Sequence, residues 1–81
     1  MDESRLVKAA RVASGMTQQQ AAELLDVSLP TYIAREKVPT AFTLDEVARL
    51  YGAFSADGKK VLIEFVQGIF LPEEVMLNIK L

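Results

Sequence analysis

The chain has 81 residues, enough for one small domain with a single hydrophobic core. It contains no cysteine and no histidine, which excludes disulfides and the commonest zinc ligands and leaves little for general-base catalysis. The net charge is −2. The sequence shows neither the basic and apolar regions of a signal peptide nor an apolar run long enough to span a membrane. We therefore expect a cytoplasmic protein that is no enzyme, holds no metal or cofactor and makes no membrane contact.

The first predicted element is an amphipathic helix from Ser4 to Ser14, ended by Gly15 as a C-cap residue. Its inner face is predicted to consist of Leu6, Val7, Ala10 and either Val12 or Ala13. Its outer face is predicted to carry Arg5, Lys8 and Arg11.

The segment from Thr17 to Glu36 predicts two short helices joined by a tight turn. Thr17 can cap the first helix, with Gln20 as its reciprocal partner. Asp26 stands where the chain must leave that helix through a left-handed residue. Ser28 offers the second cap, followed by a proline in the first turn. Because the two caps are so close in sequence, the helices must pack at a steep angle, as in helix-turn-helix proteins that bind DNA.

A short connection from Lys37 to Phe42 follows, and then Thr43 is predicted to cap a fourth helix with Glu46 as its reciprocal partner. The predicted inner face of this helix is Leu44, Val47, Ala48, Leu50 and Tyr51.

The segment after Phe54 begins with a predicted turn or cap at residues 55–58 and continues as a strongly apolar stretch from Lys59 to Leu71. On a helix its polar residues gather into one arc of about 100°, which leaves an apolar arc wider than one side of a small core needs. We favour a fifth helix that faces the core on one side and a second subunit on the other. A fully covered helix and a strand are the alternatives.

The tail after Pro72 gives two conflicting signals. Alternating apolar residues from Val75 to Leu81 favour a strand that pairs with another chain, whereas Pro-Glu-Glu is a good helix start. In both cases we expect residues 1–54 to form the helix-turn-helix domain and residues 55–81 a dimerisation element. The predicted dimer interface is Val61, Leu62, Phe65, Val66, Ile69, Phe70, Val75, Leu77 and Ile79.

Spaced residues of different chemistry between Thr17 and Glu36 carry a resemblance to a known family. They are Thr17-Gln18, Ala22, Leu25, Val27-Ser28, Thr31-Tyr32 and Glu36. Together they resemble the signature of the phage-repressor and Cro-like (XRE) helix-turn-helix family, over roughly residues 4 to 54. The resemblance implies a mainly α, lambda-repressor-like bundle of about five helices, with a possible C-terminal strand.

The resemblance also implies a role for individual residues. The helix over residues 28–37 would lie in the major groove with its first residues at the base edges. Gln18 would donate to a phosphate, Lys37 and Thr40 would approach the backbone, and Tyr32, like Val27, would be a core residue. Arg35 would reach a phosphate or pair with Glu36. The residues expected to bind DNA are Gln18, Ser28, Leu29, Pro30, Thr31, Ile33, Ala34, Arg35, Lys37 and Thr40.

One departure from the family pattern affects base recognition. Leu29 and Pro30 stand where many relatives present Gln, Arg or Asn, and these two side chains can only touch a thymine methyl group. Discrimination would then rest on Thr31, Ser28, van der Waals contact and DNA shape.

These patterns indicate a sequence-specific DNA-binding transcriptional regulator of phage or mobile-element origin that acts as a homodimer. A net charge of −2 gives no bulk attraction to phosphate, so binding would depend on a local basic patch, predicted to consist of Lys8, Arg11, Arg35 and Lys37, which a dimer doubles. The alternative is an antitoxin-like or antirepressor-like module that kept the fold and binds another protein through its apolar surface.

Overall fold

A computed structural model describes residues 4–70 of the chain, with the side-chain surroundings of residues 5–68. The described part contains five α-helices and a short 3-10 helix at Pro39–Ala41. The α-helices are α1 Ser4–Ala13, α2 Gln18–Leu25, α3 Leu29–Lys37, α4 Leu44–Ala53 and α5 Ala56–Phe70. The predicted mainly helical bundle is confirmed. The predicted strand at residues 75–81, with Val75, Leu77 and Ile79, lies outside the described residues.

Two helices begin with the predicted reciprocal caps. The Thr17 hydroxyl accepts the Gln20 N–H at 3.0 Å, and the Gln20 side chain accepts the Thr17 N–H at 2.9 Å. Thr43 and Glu46 form the same pair of bonds at the start of α4. Each reciprocal cap satisfies two backbone N–H donors that a helix start otherwise leaves unpaired.

The turn between α2 and α3 depends on one left-handed residue, as predicted. Asp26 has φ 59°, and its N–H donates to the carbonyls of Ala22 and Glu23. Ser28 then caps α3 by accepting the Thr31 N–H at 3.3 Å. Gly15, with φ 68°, ends α1 in the predicted left-handed conformation. The helix-turn-helix geometry therefore follows from local chemistry.

The core lies where all five helices meet. Its fully buried side chains include Val7 of α1, Tyr32 of α3, Leu50 of α4 and Leu62 of α5. The Tyr32 and Phe42 rings pack with centroids 5.8 Å apart and planes inclined at 56°. Tyr32 is therefore a core residue, as predicted.

Helix α5 packs closely against α1. Its N-terminus is tied to the end of α1, because the Ser55 N–H donates to the Ser14 hydroxyl at 3.0 Å. Gly58 is buried within α5, at a distance from α1 that leaves no room for a side chain. Of the predicted turn or cap at residues 55–58, the cap is what forms, because the Ser55 hydroxyl accepts the Gly58 N–H at 3.1 Å at the start of α5. Gly58 itself lies inside the helix, where it serves close packing against α1.

Two predicted inner faces need correction. On α1, Val12 is 58% exposed and Ala13 is also exposed, while Arg11 points inward. Arg11 can occupy this inward position because the buried carboxylate of Glu36 pairs with its guanidinium. On α4 the buried apolar stripe is Val47 and Leu50, and it continues into the buried Phe54 just after the helix. Leu44, Ala48 and Tyr51 lie outside that stripe and are exposed.

Candidate nucleic-acid interface

The outer face of α3 is accessible and mostly apolar. At 100° per residue, Ile33, Lys37, Pro30 and Ala34 fall within one arc of about 100°. Pro30, Ala34 and Lys37 are exposed and Ile33 is half-buried. The opposite face carries the buried side chains Tyr32 and Glu36. Of the residues expected at the bases, Ser28 and Pro30 are exposed, whereas Leu29 and Thr31 are half-buried.

The two small polar residues at the start of α3 bond to each other. The Ser28 hydroxyl donates to the Thr31 hydroxyl at 2.9 Å while accepting the Thr31 N–H. This pairing stabilises the first turn of α3 and occupies the Ser28 proton. The Thr31 hydroxyl keeps its own proton for an outside acceptor.

A buried polar network fixes the inner side of α3 to the helices beneath it. Glu36 accepts hydrogen bonds from Arg11 of α1 at 2.8 and 3.2 Å, from the Tyr32 hydroxyl at 2.8 Å and from the Gln18 amide at 3.0 Å. Arg11 also donates to the Met16 carbonyl at 2.9 Å. Within the described residues, no buried side-chain nitrogen or oxygen lacks a partner.

The network shifts the pKa values of its members. Burial alone would raise the pKa of the Glu36 carboxyl, but hydrogen bonds from Arg11, Tyr32 and Gln18 bring it below its ordinary value of 4.5. The hydrogen bond to Glu36 raises the pKa of Arg11. Burial and the hydrogen bond to Glu36 both raise the pKa of Tyr32. Glu36 is therefore a carboxylate and Tyr32 a neutral donor at ordinary pH.

Two of the four arginines and lysines expected to form the basic patch are already paired. Arg11 is 7% exposed and bound to Glu36, so its predicted outer position is wrong. Arg35 donates to Glu46 of α4 and does not pair with Glu36. The positive charge of each guanidinium is therefore already balanced by a carboxylate, as is usual for a buried or half-buried cation.

A surface groove beside α3 brings together Lys8 and Lys37, two cations of the expected basic patch, with Arg5. It has a volume of about 300 Å³ and is lined by Arg5, Lys8, Gln18, Ile33, Glu36 and Lys37. Arg5, Lys8 and Lys37 are exposed, and within residues 4–70 none of them forms an ion pair. We name this feature the cationic groove. Arg5 was missed as a site residue, although its spacing of three from Lys8 on one helix face indicated a shared surface.

The remaining expected site residues are spread more widely. Thr40 is exposed in the 3-10 helix after α3. Gln18 is half-buried on the wall of the cationic groove, with its amide nitrogen donating to Glu36. Its carbonyl oxygen and the second amide proton face no partner among the described residues.

The residues expected at a dimer interface divide into two groups. Leu62 and Phe65 are buried inside the single chain, at 0% and 1% exposed, because α5 uses this stripe to cover α1. Their place in the core leaves them no surface for a second subunit. Val61 and Val66 are half-buried and retain some exposed surface. Ile69 and Phe70 lie at the end of α5, beyond the described side chains.

The comparison with known protein families gives one match. A family model described as helix-turn-helix matches residues 7–57, more than half of the chain. No curated protein and no solved structure matches the sequence. Across residues 4–70, none of the helices combines the length and apolar character required to cross a membrane.

Proposed function

The chain belongs to the XRE family of helix-turn-helix DNA-binding regulators, and we propose that it regulates transcription in the cytoplasm by inserting α3 into the major groove. One observation carries the proposal: the outer face of α3 continues directly into the cationic groove, since Ile33 and Lys37 line both. A helix that meets base edges beside cations that meet phosphates is the arrangement that major-groove binding requires.

The cationic groove supplies the proposed phosphate contacts. Arg5, Lys8 and Lys37 place three positive charges around a concave surface in which Glu36, the one carboxylate among the described lining residues, is neutralised by Arg11. The local field is therefore positive although the whole chain carries −2. Gln18 stands on the same wall and would add an amide donor.

We further propose that the active form is a homodimer joined through residues 55–81. One chain offers only a small set of cations, and a second copy doubles the phosphate contacts. A two-fold dimer would place two recognition helices about one DNA turn apart, roughly 34 Å. A phage or mobile-element origin accords with the resemblance to repressors and Cro-like proteins.

The test measures the affinity of the full chain for a labelled random-sequence duplex over a series of salt concentrations. The affinity should fall linearly on logarithmic axes, because bound cations release counterions from the DNA. The triple variant Arg5→Gln, Lys8→Gln, Lys37→Gln should bind more weakly, with a slope shallower by about one unit for each lost phosphate contact.

The matched control removes one positive charge elsewhere. Arg49→Gln changes an exposed cation of α4, outside residues 55–81, and its salt slope should stay close to that of the unmodified chain, whereas Lys8→Gln should lower the slope. Equal losses in Arg49→Gln and Lys8→Gln would contradict the cationic groove as the phosphate site. Failure of the unmodified chain to bind DNA at low salt would contradict the function itself.

A second candidate function is favoured by the apolar character of the α3 outer face. An antitoxin-like or antirepressor-like module would use Pro30, Ile33 and Ala34 to bind another protein. Such a module needs no cationic groove, so the salt series on DNA separates the two functions.

A further inference from the structure

We propose that the outer face of α3 recognises thymine by its C5-methyl group, with Ile33 as the main contact and Pro30 and Ala34 beside it. The proposal rests on the proposed function and deepens it, because it names the base and the atom that determine specificity. The ligand is a thymine-containing major groove of double-stranded DNA.

The first argument is the composition of the helix face. Pro30, Ile33 and Ala34 are the accessible residues in the first two turns of the outer arc, and none has a polar side-chain atom. Lys37 closes the arc at the C-terminal end, next to the cationic groove. The part of the helix nearest its N-terminus, which enters the groove most deeply in this docking mode, is therefore apolar.

The second argument is the state of the nearest polar groups. Ser28 and Thr31 share a hydrogen bond, so the Ser28 proton is already used within the protein. Gln18 donates to Glu36, and Arg35 donates to Glu46. No side chain on the outer arc between Pro30 and Ala34 can form the two-point hydrogen bonds that identify guanine or adenine.

The third argument identifies the occupant by charge. An apolar face that binds a protein partner would be expected to continue as apolar surface. The outer face of α3 instead borders Arg5, Lys8 and Lys37 at Ile33. Apolar surface next to exposed cations matches thymine methyl groups next to phosphates. Only thymine places a methyl group in the major groove of unmodified DNA.

The experiment begins with a duplex selected from a random pool by the full-length protein. The same duplex is then prepared with deoxyuridine in place of every thymidine, which removes the methyl groups and keeps all base pairs. We expect the uracil duplex to bind about two- to fourfold more weakly for each methyl that is buried. A random duplex treated in the same way should show no difference.

Two variants assign the discrimination to α3. Ile33→Ala should bring the thymine-to-uracil affinity ratio toward one, while Leu44→Ala, at a 69% exposed position on α4, should leave the ratio unchanged. A ratio of one for the unmodified protein would overturn the proposal while leaving DNA binding intact. A high ratio that Ile33→Ala does not reduce would also overturn it, because DNA shape would then be the cause. Failure to select any duplex would count against the proposed function and this inference together.

Discussion

Arg11 of α1 and Glu36 of α3 form a two-point ion pair, in which Nε lies 2.8 Å and Nη2 3.2 Å from the two carboxylate oxygens. A third nitrogen of Arg11, Nη1, donates to the Met16 carbonyl just before α2. One arginine thus connects α1, the segment just before α2, and α3.

Replacing Arg11 by methionine should strongly destabilise the fold. The change leaves the Glu36 carboxylate buried without its cation, which typically costs about 3–5 kcal/mol. Chemical denaturation measures the free energy of unfolding. Arg5→Met, at an exposed position of the same helix, is the control and should change stability by no more than about 0.5 kcal/mol. Equal effects of the two changes would contradict the structural role of the pair.

Stability should fall in acid because of Glu36. Its pKa in the folded chain lies below the ordinary value of 4.5, so the carboxylate contributes stability above pH 4.5 that is lost as the pH drops through the folded pKa. Glu36→Gln should flatten this part of the pH dependence of unfolding. Glu64→Gln, which changes an exposed carboxylate on α5, should leave the acid slope nearly as it was.

Tyr32 should resist ionisation while the chain is folded. Burial and the hydrogen bond to Glu36 raise its pKa above the ordinary value of 10.0, so its contribution to stability is present below pH 10.0 and is lost as the pH rises toward the folded pKa. The chain has two tyrosines, so Tyr51→Phe leaves Tyr32 as the only phenol. Ultraviolet absorbance of this variant should show delayed ionisation when folded and ordinary ionisation in denaturant. Identical titrations in the two states would contradict the buried network.

Enlarging Ala22 should destabilise the helix-turn-helix. This residue of α2 is 1% exposed and lies in the packed core, so Ala22→Leu should cost about 1–3 kcal/mol through overpacking. Thermal unfolding gives the comparison with Ala48→Leu, an exposed position on α4. An unchanged melting temperature for Ala22→Leu would place the residue on the surface.

Two glycines give opposite predictions for the same substitution. A Cβ on Gly58 would approach the Ser14 hydroxyl and come within 2.6 Å of the Ala10 carbonyl, so Gly58→Ala should force α5 away from α1 and lower stability. A Cβ on Gly52 meets nothing within 4 Å, and Gly52→Ala in α4 should gain about 0.5–1 kcal/mol from helix propensity. Similar denaturation midpoints for the two variants would contradict the close α1–α5 contact.

Local signals predicted much of the fold. The caps at Thr17, Ser28 and Thr43 and the left-handed Asp26 depend on neighbours within a few residues, and each lies where the sequence indicated. The prediction of a turn or cap at residues 55–58 did not reveal the packing role of Gly58, because a glycine that ends a turn and a glycine that admits a neighbouring helix are identical in sequence. Only the position of α1, far away in the chain, distinguishes the two roles.

Charge pairing was the least predictable part of the candidate site. Arg11 looked like a surface residue because helical periodicity alone cannot tell a solvated arginine from one buried against a distant carboxylate. The partners Arg11 and Glu36 are 25 residues apart. Arg35 is likewise paired with a carboxylate of another helix, Glu46 of α4, which the periodicity of α3 does not reveal. Of the expected patch, Lys8 and Lys37 therefore remain in the cationic groove, and tertiary structure adds Arg5 to them.

The central claim is that α3 enters the major groove, and chemical protection of a selected duplex tests it most directly. Dimethyl sulfate attacks guanine N7 in the major groove and adenine N3 in the minor groove. We expect the bound protein to protect guanine N7 within each half-site while adenine N3 stays reactive, and the Arg5→Gln, Lys8→Gln, Lys37→Gln variant to lose that protection at matched concentration. Protection of adenine N3 alone, or no protection under conditions where the duplex is fully bound, would contradict major-groove binding by α3.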